Sequence, residues 1–128
     1  MGIKGRLVAM LSVVLAAACA DVAQRPASQP QIQAGVPQTI TISREQEVPV
    51  SGGFSRVLRG GTVWRYIGSL PEGAVYKPVD TVFTVQAFQS VHEAYLVLKD
   101  GMIQGYYLPA VRSISMSSSP VPIDVTSP

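Results

Sequence analysis

Asp100-Gly101 stands between two runs rich in β-branched and aromatic residues, HEAYLVLK and MIQGYYLP. No other feature limits the fold of this chain so tightly. Both residues tolerate the positive φ of a type I′ turn, so the runs are predicted to fold back on each other as a β-hairpin. A two-residue loop also sets the register. Lys99 then faces Met102, Leu98 faces Ile103, Leu96 faces Gly105, Tyr95 faces Tyr106 and Ala94 faces Tyr107. One face carries Ala94, Leu96, Leu98, Ile103 and Tyr107 and reads as the core side. The other carries Glu93, Tyr95, Val97, Lys99, Met102, Gln104 and Tyr106 and reads as mixed and half exposed.

The rest of the chain from Thr39 onward follows the same two-residue period. TITIS puts Ile40 and Ile42 on one face and Thr39, Thr41 and Ser43 on the other. VPVSGG and Arg59 to Gly61 are turn signals, and TVWRYIG is a strand of β-branched and aromatic residues. LPEG suits a type I turn, with Pro71 second and Gly73 fourth. Pro78 marks AVYKPVD as an edge or a strand end. TVFTVQAF is a strand with Phe83, Val85 and Ala87 on one face. Two short strands follow, around 112–116 and 121–125, with a loop-like SSSPVP between them. About seven short strands without helical periodicity predict an all-β fold, a small antiparallel barrel or sandwich.

The amino terminus has a different character. Met1 to Arg6 carry positive charge, and Leu7 to Ala18 form an apolar stretch of 12 residues interrupted only by Ser12. As a helix it spans ~18 Å, short of a ~30 Å hydrocarbon core, so it reads as a secretory signal and not as a membrane anchor. It ends in Ala16-Ala17-Ala18-Cys19, and Cys19 is the only cysteine. This junction resembles the lipobox of bacterial lipoproteins, although Ala16 stands where that family usually has Leu. The resemblance implies that residues 1–18 are removed and that Cys19 becomes the acylated first residue. The same alanines fit ordinary A-x-A cleavage, which would leave an exposed thiol in an oxidising compartment. Ala20, not Asp, follows the cysteine, and by the same resemblance this favours the periplasmic face of the outer membrane. Residues 20–38 hold three prolines and five glutamines. They read as a flexible tether reaching ~25 Å as a coil and ~60 Å stretched, with Ile32 or Val36 as points where its last third could pack. The organisation expected is a signal peptide (1–18), a lipidated amino terminus with tether (19–38) and a β domain (39–128).

Charge and side-chain chemistry narrow the function. The net charge of +2 comes from 10 basic and 8 acidic residues, and Lys4 and Arg6 lie in the leader. Their removal leaves a neutral domain, which lacks the basic footprint of a nucleic-acid binder. His92 is the only histidine. No serine stands in a G-x-S-x-G context, the glycines form no phosphate loop, and no His/Cys/Asp/Glu cluster has metal-ligand spacing. Glu45 and Glu47 share one side of a strand, and beside Arg44 they read as solvated edge charges. The expectation is a protein that is not an enzyme and carries no cofactor or metal. The aromatic residues offer two roles. Trp64 and Tyr66 share a strand face, and Tyr95 opposes Tyr106 in the register above. Such pairs either stabilise the sheet or form an exposed platform of Trp64, Tyr95 and Tyr106 for a protein or glycan. Three readings result: a membrane-anchored binding or assembly module whose partner is an envelope protein or peptidoglycan, a small inhibitor of a cell-wall hydrolase, and an enzyme, for which no residue speaks.

Overall fold

A computed structural model describes residues 24–50 and 54–128. Every regular element in it is a β-strand. In chain order these are β1 (Gln24–Pro26), β2 (Thr39–Ile42), β3 (Gln46–Pro49), β4 (Ser55–Leu58), β5 (Val63–Leu70) and β6 (Gly73–Pro78). Then come β7 (Thr84–Ala87), β8 (Ser90–Glu93), β9 (Tyr95–Lys99), β10 (Met102–Leu108), β11 (Ser113–Pro122) and β12 (Val125–Thr126). Eight form one antiparallel sheet in the order β1-β11-β10-β9-β6-β5-β2-β12; β3–β4 and β7–β8 are separate two-stranded hairpins. The expected all-β class holds.

The sheet curls so that its two margins approach, an arrangement that fits a sandwich or an open barrel. β11 lies near one margin and β12 at the other, yet only Ile123 and Asp124 separate them in the chain. The three residue steps from Pro122 to Val125 span at most ~11 Å, so the margins must approach. The hydrogen bonds agree. Ile123 N donates to Gly101 O at the β9–β10 tip, and Ser43 N, just past β2, donates to Asp124 O. The stretch SSSPVP, expected as a loop, belongs to β11. Its pairing with β10 is interrupted between Met116 and Val121 and then resumes.

Both faces of the central strands are covered. Leu96, Ile103, Tyr106, Trp64, Ile42 and the two small hairpins make the larger core. Val75, Tyr95, Val97, Tyr107, Ile114 and Leu70 make the smaller one behind it. Full burial of a Leu, Ile or Val contributes ~1.5–3 kcal/mol, so the double-sided strands β6, β9 and β10 carry much of the stability.

The segment expected as a tether is laid on this sheet from Gln24 onward. β1 pairs with β11, Gln31 bridges Ser69, and Gln38 O accepts from Tyr66 N. Tyr76 donates to Pro37 O, and Val36 packs against the larger core, whereas Ile32 stays exposed. The side chains of this stretch are poor in apolar area. Its main chain is held instead by strand partners and tyrosine hydroxyls, which composition does not reveal.

Candidate functional site

The expected hairpin forms, with Asp100 at φ 56° and Gly101 at φ 74°. Lys99–Met102 and Leu98–Ile103 pair as the turn dictates. A β-bulge at Gln104 then shifts the register, so that Val97 faces Gly105, Leu96 faces Tyr106 and Tyr95 faces Tyr107. The extra residue exchanges the faces of Tyr106 and Tyr107. Gly105 explains why the bulge sits there. A Cβ at that position would lie 2.5 Å from the carbonyl oxygen of Ser115, so only glycine lets β11 approach.

This corrects the expectation of an exposed Trp64, Tyr95 and Tyr106 platform. The three are 2%, 7% and 2% exposed, and Tyr95 and Tyr106 lie on opposite faces of the sheet. Tyr106 donates to Pro49 O at 2.9 Å, and burial pushes its hydroxyl pKa far above the ordinary tyrosine range. Tyr95 is shifted the same way, by burial first and then by Glu93, and Lys77 Nζ stands 5.8 Å from its ring centre. Trp64 donates to Thr62 Oγ1 at 3.2 Å and meets Phe83 edge-on. These aromatics fill and fasten the core. Cys19 lies outside the described residues.

Exposed apolar side chains gather elsewhere. Of eight large ones among the described residues, Phe54, Val57, Val82, Phe88 and Val91 fall on or beside the β3–β4 and β7–β8 hairpins. Arg56 joins the two, donating to Thr84 Oγ1 at 2.9 Å with its guanidinium 6.0 Å from the Phe83 ring centre. Both hairpins turn Val48, Leu58, Val85 and Ala87 into the larger core. Their outer sides keep Val57 and Val91 in solvent, where inward packing gives them no purpose.

The β7–β8 turn is the most unusual local structure. Its two central residues, Phe88 and Gln89, have φ of 52° and 61°. Such a turn favours Asn, Asp or Gly. A bulky L-residue in the left-handed region costs ~1–2 kcal/mol. Phe88 is nevertheless 53% exposed, its ring meeting only the His92 ring among the described aromatic neighbours, at 5.8 Å and edge-on. His92 in turn contacts Ser90 Oγ through Nε2 at 3.1 Å. Phe-Gln carries no turn signal, so this hairpin was not expected. The sign that could have revealed it is the pair of alternating runs, TVQA and SVHE, separated by two residues.

Between β4 and residues 81–83 lies a groove of about 400 Å³. Trp64 and Phe83 line its depth, Val57 and Val82 its exposed rim, and Arg56 and Arg59 give it positive charge. Sequence reasoning found Trp64 but not its setting, because the groove's walls are far apart in the chain. Among the described residues no three His, Cys, Asp or Glu side chains gather as metal ligands. The ion pair of Arg44 with Asp124, at 2.9 Å, is largely exposed and contributes little. No protein-family model matches the chain, and no curated protein or solved structure shows significant similarity to it.

Proposed function

We propose that the protein is a non-enzymatic binding module of the bacterial cell envelope, anchored by acyl chains on Cys19 at the periplasmic face of the outer membrane. Its partner-binding face is the lobe made by the β3–β4 and β7–β8 hairpins, and its partner is an envelope protein. One observation carries this reading: Phe88 is a bulky aromatic residue in a strained turn conformation, with half its surface in water. Neither the turn nor the core benefits from a phenylalanine there. Strain retained at an exposed site points to a use outside the fold, and aromatic side chains ringed by apolar neighbours are what protein partners engage most strongly.

The fold also bears on the anchor. β1 begins at Gln24, so only five residue steps separate its pairing with β11 from Cys19. Those steps reach ~17 Å at full stretch. On this reading the domain stays close to the bilayer, and its partner is a protein that comes to the membrane surface. The exposed aromatic hairpin tip also suits a concave cleft, which keeps a hydrolase-inhibitor role as the second reading.

The test has two arms. Mass spectrometry of the mature protein is expected to find an acylated Cys19 at the amino terminus; an unmodified soluble chain overturns the anchor. A photo-crosslinking residue in place of Val91, in intact cells, is expected to capture a discrete envelope protein, and Phe88→Asn is expected to abolish that adduct without lowering the melting temperature. An adduct that is indifferent to Phe88→Asn overturns the binding face. Capture of a cell-wall hydrolase, with its activity blocked by the purified domain, selects the inhibitor role.

A further inference from the structure

We infer that the groove beside Trp64 takes an extended acidic peptide segment of the partner as an added strand on β4. This rests on the reading of the two-hairpin lobe as the binding face, and it names what that face recognises. The first argument is the unpaired edge. Among the described residues, β4 pairs only with β3. Val50 N donates to Phe54 O, and Val48 faces Arg56 in the same ladder. Hydrogen-bonded pairs alternate along an antiparallel ladder, so Phe54 and Arg56 spend their main-chain groups on β3 while Ser55 and Val57 turn theirs the other way. Both residues line the groove. A strand laid there would meet donors and acceptors at the spacing it needs, which is how strand addition gains affinity.

The second argument is charge. Arg56 and Arg59 line the groove, and among the described residues no carboxylate does. Arg56 is held in place by Thr84 and the Phe83 ring, whereas the Arg59 side chain is exposed and has no partner among the described residues. The carboxylate across the ladder, Glu47, is engaged by Ser55 Oγ at 2.8 Å. Asp80 precedes the opposite wall and does not line the groove. The third argument is the floor. Trp64 and Phe83 offer an apolar bed beneath the rim of Val57 and Val82. A strand alternates its side chains, so an occupant with apolar residues inward and carboxylates toward the arginines matches both surfaces.

Trp64 is the only tryptophan in the chain, so its fluorescence reports on the groove directly. The probes are nine-residue synthetic peptides alternating valine with glutamate, the same peptides with glutamine for glutamate, and the glutamate peptides N-methylated at alternate amides. The glutamate peptides are expected to shift Trp64 emission saturably and to weaken with added salt. Glutamine replacement, N-methylation and the variant Arg59→Gln are each expected to weaken binding about tenfold, the scale of losing a hydrogen bond to a charged group. Equal binding of the glutamate and glutamine peptides overturns the charge requirement. Indifference to N-methylation overturns strand addition, and no shift with any peptide overturns the groove as a site. If these fail while the Val91 adduct still depends on Phe88, the binding face stands and this inference falls. If the peptides bind while the adduct ignores Phe88, the groove stands and the role of Phe88 falls.

Discussion

The β9–β10 and β7–β8 hairpins each turn on two residues at positive φ, Asp100 and Gly101 in the first, Phe88 and Gln89 in the second. In the first, the residues suit the turn, and the aromatic side chains beyond it are buried on both faces. In the second, the residues oppose the turn, and the aromatic residue is left half in water. Turns with both central residues at positive φ are thus built from opposite kinds of residue. Where every residue agrees with the fold, the hairpin is there for stability. Where a residue works against the turn and is only half buried, the proposed reading assigns it a use outside the fold.

That contrast can be broken at several points. The largest effect is expected from Gly105→Ala. The new Cβ would collide with the Ser115 carbonyl, which belongs to the main chain and cannot swing aside. Chemical denaturation should show a loss of about 3 kcal/mol; an unchanged midpoint would remove the bulge as the reason Tyr106 faces inward. Gly101→Val comes next. Nothing lies within 4 Å of the added Cβ, so the cost is backbone strain alone, ~1–2 kcal/mol, or several degrees in melting temperature.

Alkaline titration ranks third. The buried Tyr106 hydroxyl has its pKa raised, while in the unfolded chain it ionises near ~10. Below that pH neither state is ionised and stability is intact. Above it the unfolded chain gains by losing a proton that the folded chain retains, so stability falls by up to ~1.4 kcal/mol per pH unit for this group. Tyr106→Phe loses the bond to Pro49 O and is expected to melt below wild type at pH 8. The two curves should then converge between pH 10 and 11, and a constant gap would show an ordinary tyrosine. The smallest effect carries the opposite sign. Phe88→Asn with Gln89→Gly installs the residues a type I′ turn prefers and is expected to stabilise by ~1 kcal/mol, the loss of the His92 contact offsetting part of the relief. A destabilised variant would mean that Phe88 supports the fold and would end the contrast.

The same two hairpins show where sequence reasoning reached and where it stopped. Asp-Gly, the Ile40/Ile42 alternation, the LPEG turn and the strand end at Pro78 were legible because each acts within a few residues. The faces of Tyr95 and Tyr106 were not. They depend on one residue inserted at Gln104, and that insertion answers to Ser115 on a neighbouring strand. The β7–β8 hairpin stayed hidden because its turn lacks turn residues. The groove stayed hidden because residues 55–59, Trp64 and residues 81–83 meet only after the hairpins dock.

The short link of Ile123 and Asp124 has a consequence for how the molecule comes into being. A chain is synthesised from its amino terminus, so β1 and β2 are complete long before their partners β11 and β12 exist. Neither margin of the sheet can be finished until residues 113–126 have been made. Such long-range pairing makes folding slow relative to local helical or hairpin assembly. A sheet wired this way stays open until that segment is made, and residues 113–126 act as a drawstring that pulls both margins together in one late step.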